Sequence, residues 1–386
     1  MNNQRNLFQL PADIHYLNCA YMSPLLNSVE EAGIHAMQLK RNPIHISPKD
    51  FFTGAERLRE NFGKLVNCAA KQVAVIPSAS YGLSTAVKNL PTNNGSMAIL
   101  VADEFPSGYF SVEKWCRKNG KHLITVRPPK ETESRGKIWN QAILDAIDSE
   151  TSVVLMSSIH WADGTMYDLK AIGRKCNEND ALFIVDGTQS VGALPIDVQE
   201  FQIDALVCAG YKWLMGPYSI GVAYFSEKFN GGEPLEESWM TRSNAQDFAN
   251  LTKYVDDYSP GAGRYNVGEF SNFILVPMLN AAIEQIHDWG VENIQSYCDH
   301  LSRPLMQFFK QNGFWVEEDA FRAKHLFGVM LPQGTNREKL LQSLKEKQIY
   351  VSVRGEGIRV SLHLFNTAED VKALEEAFRE IITENR

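Results

Sequence analysis

The sequence predicts an α/β protein: a mostly parallel seven-stranded sheet covered by helices on both faces, plus a smaller α+β C-terminal domain. Three observations carry this. Seven short runs, VAVIP, MAILVA, HLITV, SVVLMSSI, LFIV, ALVCA and IGVAYF, are almost continuously apolar, as strands buried on both faces are. Helix-period segments at 108–119, 140–148 and 168–178 separate many of them, as parallel crossovers require. From LFGVML onward the order becomes strand, helix 336–347, strand IYVSV, strand IRVSL and helix 367–384, a compact unit of its own.

The remaining elements follow in order. A short non-periodic segment, LNCAYMSPL, leads into a helical pattern over 28–40, and 50–66 is amphipathic with Phe51, Phe52, Leu58, Phe62, Leu65 and Val66 on one face. Between residues 231 and 271 the periodicity gives way to a polar, aromatic, Gly-containing connection; one that long is usually functional or an interface. A long helical pattern then spans 273–312, interrupted at Gly290, and Thr367 with Asp370 caps the last helix. At 386 residues the chain exceeds what one core usually serves. The expected division is an N-terminal segment 1–30 packing near the site and the small domain, a large domain 31–272, and a linking helix with the small domain 273–386.

Composition excludes several classes. Apolar residues make up 44%, charged residues 22%, and net charge is −8 without any Lys/Arg run, so nothing marks nucleic acid as a partner. No apolar run approaches the ~20 residues that cross a bilayer, and the N-terminus lacks the basic and apolar regions of a secretory signal. Cys19, Cys68, Cys116, Cys176, Cys208 and Cys298 lie far apart with no C-x-x-C; they read as reduced side chains, not disulfides or metal ligands. The expected location is cytoplasmic, with no membrane, nucleic-acid or metal partner.

The chemistry concentrates between residues 182 and 217. LFIV ends in Asp186, a Gly-rich turn carries Gln189, and ALVCA leads to a lone lysine, Lys212, among Tyr211, Trp213 and Gly216. Pyridoxal-phosphate chemistry needs that pair: an amine to hold the aldehyde as a Schiff base, and an acid to keep the pyridine nitrogen protonated. Once released, the same amine can move a proton at Cα. Upstream, VAVIP running into SASYGLSTAV reads as strand, turn and helix N-terminus, where free N–H groups and the macrodipole hold a phosphate and Ser78 and Ser80 add hydroxyls. A plain Ser78 N-cap without ligand is the alternative. Ligands gather at the carboxyl ends of parallel strands, and Ser78, Ser80, Phe105, His160, Trp161, Asp186 and Lys212 all follow apolar runs.

These residues carry a resemblance. The chain resembles the class V aminotransferases of the fold type I pyridoxal-phosphate enzymes, a group that includes cysteine desulfurases, isopenicillin N epimerase-like proteins and kynureninase. The resemblance runs from YLNCAYMSP to RVSLHLFNT and is most specific at VDGTQSVGALPIDV and GYKWLMGPYSIGVAY. It implies pyridoxal 5′-phosphate as cofactor and a homodimer with the site at the subunit interface. It also implies that Lys212 is the Schiff-base lysine, Asp186 the partner of the ring nitrogen, Gln189 a donor to the phenolic oxygen and Ser78-Ala79-Ser80 the phosphate turn. Phe105 falls where desulfurases carry a ring-stacking histidine, and Trp161 where the family often has asparagine, with His160 beside it. Arg359 matches the arginine that binds the substrate α-carboxylate, a task suited to its fork. Ala209 and Tyr211 replace a serine and a histidine, leaving the Tyr211 hydroxyl to reach the phosphate. Gly268-Glu269 replaces a Gly-Thr whose threonine enters the neighbouring subunit's site, with Ser271 and Asn272 as candidate substitutes.

The type of reaction is narrowed by what is missing. Desulfurases need a mobile cysteine just before the carboxylate arginine; here that interval is VSVRGEGI, and Cys298 lies in a helical pattern far upstream. Desulfuration is therefore set aside. The interval contains Arg354, either a second substrate anchor or a partner of Glu356 or another surface acid; Arg41, Arg242 and Arg264 are further candidates. The leading expectation is amino-group transfer to a 2-oxo acid. Cα epimerisation or racemisation and elimination use the same carbanion, and a catalytically silent relative that only binds would lack Lys212 or Asp186.

Overall fold

The computed structural model describes residues 1–383. Seven strands, β1 (Val73–Ile76), β2 (Met97–Val101), β3 (His122–Val126), β4 (Thr151–Ser157), β5 (Leu182–Asp186), β6 (Ala205–Ala209) and β7 (Gly221–Phe225), form one sheet in the order β1-β7-β6-β5-β4-β2-β3. All neighbours run parallel except β7, which is antiparallel to both β1 and β6. The mostly parallel sheet of seven is thus as expected. Its residues feed two cores by alternation: Val73, Val75, Ile99 and Val101 join Phe62 and Ile286, whereas Ala74, Ile76, Ala98 and Leu100 join Leu83 and Val112. Only the edge departs from double coverage, for His122, Ile124 and Thr125 of β3 are exposed.

Helices α1 (Asn27–Lys40), α2 (Asp50–Val66), α3 (Ala79–Lys88), α4 (Pro106–Asn119), α5 (Arg135–Ala146) and α6 (Leu169–Glu178) accompany these strands. In α2 the predicted face is the buried one, with Leu58, Phe62 and Val66 fully enclosed; the helix stops where Asn67 adopts φ 59°. Helix α5 begins five residues before the expected start at 140. The groups that satisfy its first N–H donors come from far along the chain: Glu318 Oε1 accepts from Ser134 N at 2.8 Å, and Glu317 Oε1 from Gly136 N at 3.3 Å. Local spacing holds no trace of such a cap.

The pattern over 273–312 is two helices, α7 (Leu275–Trp289) and α8 (Val291–Gln311), broken at Gly290 with φ 75°. Beyond them, β8 (Leu326–Met330), β9 (Ser352–Arg354) and β10 (Gly357–Ser361) make an antiparallel sheet in the order β9-β10-β8, with α9 (Arg337–Glu346) and α10 (Ala368–Thr383). The Thr367–Asp370 cap forms reciprocally, Thr367 N donating to Asp370 Oδ2 at 2.9 Å and Asp370 N to Thr367 Oγ1 at 3.4 Å. Glu384, the predicted end of this helix, lies outside the described residues. The predicted strand IYVSV divides at Val351: Ile349 and Tyr350 pair in parallel with His15 and Tyr16, and only Ser352–Arg354 joins β10.

The N-terminal segment therefore links the C-terminal sheet to the large one. After His15–Tyr16, Ala20 N donates to Ser361 Oγ at 2.9 Å and Ser23 N to the Tyr211 carbonyl at 3.1 Å. The turn after β5 is held against Trp213 just as closely. Gly192 has φ +100°, and a Cβ there would stand 2.3 Å from the Trp213 carbonyl oxygen. Gly192→Ala is expected to cost about 2–4 kcal/mol through backbone strain and a main-chain clash. A denaturant melt reads this directly, and an unchanged midpoint would refute it.

Candidate functional site

The carboxyl ends of β1, β2, β4, β5 and β6 open into one cavity of about 260 Å³. Its wall brings together Ser78, Ala79, Ser80, Phe105, Trp161, Asp186, Gln189, Tyr211 and Lys212, nine residues singled out in the sequence, with Thr188 and Tyr218 among the additions. Strand geometry explains the convergence. Parallel strands end at one level, so the first residues beyond each end share a rim.

Asp186 closes β5 and is buried. Thr188 N donates to its Oδ1 at 2.9 Å, and Thr188 Oγ1 accepts from Ala209 N at 3.1 Å, tying the β5 turn to the end of β6. Burial pushes the Asp186 carboxyl above the usual range, opposed by the Thr188 hydrogen bonds and the charge of Lys212. Lys212 is only 7% exposed. Burial, reinforced by the charges of Arg359 and Arg354 and opposed by Asp186, lowers its amine to about 8. Its Nζ lies 5.7 Å from the Phe105 ring centroid and 5.6 Å from that of Tyr211.

At the other end, Ser78 is the extended N-cap of α3; its Oγ accepts from Tyr81 N at 3.2 Å and lies 2.9 Å from Ser80 Oγ. The cap exists, yet it consumes only acceptor capacity. One hydroxyl proton is spent between Ser78 and Ser80; the other, and the N–H groups of Ala79 and Ser80, have no partner within the helix. Phe105 caps α4, and its N–H donates to Glu104 Oε1 at 2.7 Å. The buried Glu104 carboxylate also accepts from Ser157 N at 2.7 Å and Ser157 Oγ at 2.5 Å, so it fixes the ring to the end of β4. Trp161 meets Phe105 edge-on at 5.7 Å and donates from Nε1 to the Asp103 carbonyl at 2.7 Å.

Gln189 is held on three sides. Its Nε2 donates to the Ala20 carbonyl at 3.2 Å, its Oε1 accepts from Trp213 Nε1 at 2.9 Å, and its carbonyl lies 2.8 Å from His325 Nε2. One side-chain N–H remains for a ligand. Burial lowers His325 to about 4, which keeps it neutral; with Gln295 Nε2 2.7 Å from Nδ1, the proton belongs on Nε2, facing Gln189. The Tyr211 ring packs at 4.7 Å on Tyr218.

The two arginines stand beside Trp161 and not in the cavity wall. Arg359 is 2% exposed; its Nη1 donates to the Trp161 carbonyl at 2.8 Å, while Nε and Nη2 are buried without a partner. Arg354 Cζ lies 5.6 Å from the Trp161 ring centroid. Among the described residues Arg354 forms no ion pair with Glu356, whose Oε2 lies 3.4 Å from Arg337 Nη1. His160 turns away from the cavity toward Asp163, Nδ1 to Oδ1 2.9 Å, and packs on Trp139. Arg242 pairs with Glu237, Arg41 ends α1, and Arg264 donates to the Gly232 carbonyl at 3.2 Å. Asn272 caps the approach to α7, accepting from Leu275 N at 2.9 Å, and Ser271 is buried.

Sequence reasoning missed Glu104, Ser157, Thr188 and His325. For Glu104 a signal existed, since it is the second of two acids that follow the apolar run MAILVA; the others depend on contacts between distant segments.

Comparisons with known proteins fit this geometry. The family model described as Aminotransferase class-V matches residues 23–374. An uncharacterized aminotransferase, YcbU of Bacillus subtilis, is 24% identical over 325 residues, covering 84% of this chain and 83% of that protein. A kynureninase of Bacillus anthracis is 22% identical over 364 residues, covering 90% and 81%. Among solved structures, a cysteine desulfurase of Thermococcus onnurineus superposes with TM-score 0.84 at 18% identity, covering 100% of this chain and 99% of that one. The cystine C–S lyase C-DES, solved with its product cysteine persulfide, has TM-score 0.83 at 18% identity, covering 96% and 98%. At such identities the structural likeness establishes the fold alone.

Proposed function

Because the chain belongs to the class V aminotransferases, we propose that it is a pyridoxal-phosphate enzyme that transfers the amino group of an amino acid to a 2-oxo acid. One observation carries this reading: a buried, readily deprotonated Lys212 shares a cavity with the buried Asp186. Nothing in the fold's stability requires those two groups there, since burying either costs free energy.

The donor set fits pyridoxal 5′-phosphate. Ser78, Ala79 and Ser80 offer hydroxyl and N–H donors to its phosphate, joined by Tyr211. Asp186 would hold a proton on the ring nitrogen, Phe105 would pack against the ring, and the remaining N–H of Gln189 would be free for the phenolic oxygen. The cofactor supplies an aldehyde for amine exchange and an electron-withdrawing ring that acidifies the substrate Cα–H. Lys212 holds the cofactor and, when displaced, carries the proton to and from Cα. Arg359 turns its two unpartnered nitrogens to the α-carboxylate, so that a charge-assisted pair compensates its burial.

A second subunit completes the site. Tyr218 lines the cavity and is 64% exposed, and Phe110, Tyr109 and Met37 are exposed apolar side chains elsewhere; a homodimer covers such surface. The six unpaired cysteines suit the reducing cytoplasm, and among the described residues no helix is long and apolar enough to cross a membrane.

Desulfuration lacks its nucleophile. The β9–β10 hairpin closes through Gly355 and Glu356, with Arg354 paired to Gly357, and holds no cysteine. Cys19, within the electrostatic reach of Lys212, is buried, which pushes its thiol far above the ordinary value. An amino-donor screen on cofactor-loaded enzyme tests the reading. At least one amino acid should bleach the cofactor's visible band, a 2-oxo acid should restore it, and cysteine should give no sulfide at enzyme-like rates. A donor that is only epimerised, or that releases ammonia or sulfide catalytically, would replace aminotransfer by epimerase or lyase chemistry.

A further inference from the structure

Trp161 is flanked by two guanidinium groups from one hairpin. The register of β9 with β10 pairs Ser352 with Arg359 and Arg354 with Gly357. Directly opposed residues share a face, as do residues two apart on a strand, so Arg354 and Arg359 lie on the same face, diagonal to each other. Both meet Trp161, Arg359 through its carbonyl at 2.8 Å and Arg354 over its ring at 5.6 Å. Trp161 in turn lines the cavity that holds Lys212.

Among the described residues this positive charge is uncompensated. Among the described residues no carboxylate forms an ion pair with either arginine, and Glu356 is engaged by Arg337 at 3.4 Å. Among the described residues the Arg354 fork makes one polar contact, Nη1 to the neighbouring Val353 carbonyl at 2.8 Å, and its Nε is buried without a partner. Two like charges diagonal on one face repel, and Lys212 feels both. One α-carboxylate neutralises one guanidinium and leaves the other.

We propose that the substrate bears a second carboxylate on its side chain, and that Arg354 receives it while Arg359 holds the α-carboxylate. The amino donor is then an amino-dicarboxylic acid, and the acceptor that returns the enzyme to its starting state a 2-oxo acid of the same kind or a neutral one. This rests on the cavity being an amino-acid site. The Arg354 guanidinium lies over the Trp161 ring, Cζ 5.6 Å from its centroid, and its planar fork offers a carboxylate two parallel donors where an ammonium would offer a point contact.

Unreactive ligands test this apart from catalysis. Succinate and glutarate are titrated into the cofactor-loaded enzyme at constant ionic strength against butyrate and valerate, which match them in length, with tryptophan fluorescence and the cofactor band as readouts. At least one dicarboxylate should bind about tenfold or more tightly than its monocarboxylate, a difference of about 1.4 kcal/mol. Arg354→Gln should bring that ratio to within about twofold of one, and Arg354→Lys should retain part of it. If Arg354→Gln loses the cofactor band, and with it the evidence of folding, the lysine variant decides by its intermediate ratio. A wild-type ratio near one, or a ratio untouched in both variants, overturns the assignment. Dicarboxylate preference without any amino transfer would remove the aminotransferase reading and leave Arg354 in place; transfer from neutral donors with no dicarboxylate preference would do the reverse.

Discussion

Lys212→Ala is expected to yield a folded protein that retains no covalently bound cofactor and loses turnover by at least about 10³-fold. Borohydride reduction followed by peptide mass analysis should find the cofactor on Lys212 in the parent and nowhere in the variant. The expectation follows from the environment of the amine. With its pKa lowered from 10.5 to about 8 by burial and the neighbouring arginines, roughly 300 times more of it is neutral at pH 7 than for an ordinary lysine. The neutral amine is the nucleophile. Loading of cofactor-free enzyme should therefore accelerate as pH rises toward about 8 and level off beyond it. A loading rate still climbing tenfold per pH unit at pH 9 would contradict the depressed amine, and a labelled lysine elsewhere would contradict the assignment itself.

Asp186→Asn should lower turnover by about 10²–10⁴-fold while the cofactor still binds. The substitution keeps the shape and can still accept from Thr188 N, whose 2.9 Å bond to Oδ1 ties the turn to the end of β6. What it removes is the negative charge. Burial raises the Asp186 carboxyl above its usual range, so the group would gain from a cationic partner, as a protonated pyridine nitrogen would be. Neutral asparagine cannot hold the proton there, and the ring loses much of its electron demand. The separation of effects is what matters, with cofactor titration near that of the parent and kcat collapsed. Turnover within about tenfold of the parent would show that the ring nitrogen is not held by this residue.

Much of this was readable before the structure, and the part that was not has a common cause. The seven apolar runs and the acid–lysine pair are local patterns, and each became the element or strand end expected of it. Their spatial order, with β7 inserted antiparallel between β1 and β6, has no local signature. The start of α5 was misplaced because its N–H donors are satisfied by Glu317 and Glu318, and IYVSV was read as one strand because its first half pairs with residues 15 and 16. The site follows the same rule. Asp186, Lys212 and Ser78 declare themselves at strand ends, whereas the clamp of Glu104 on Ser157 and the choice of Arg337 by Glu356 join segments that meet only after folding.

The N-terminal thread has a consequence for the order in which the molecule is made. Residues 15–20 leave the ribosome more than 300 residues ahead of their partners Ile349, Tyr350 and Ser361. The large sheet can form while that thread is idle, because its strands lie between Val73 and Phe225. The Ala20 carbonyl that anchors Gln189 belongs to the residue whose N–H is held by Ser361 of the C-terminal sheet. Docking of this thread closes a long loop at a large entropic cost, so it is expected to come late and to add a slow step to refolding.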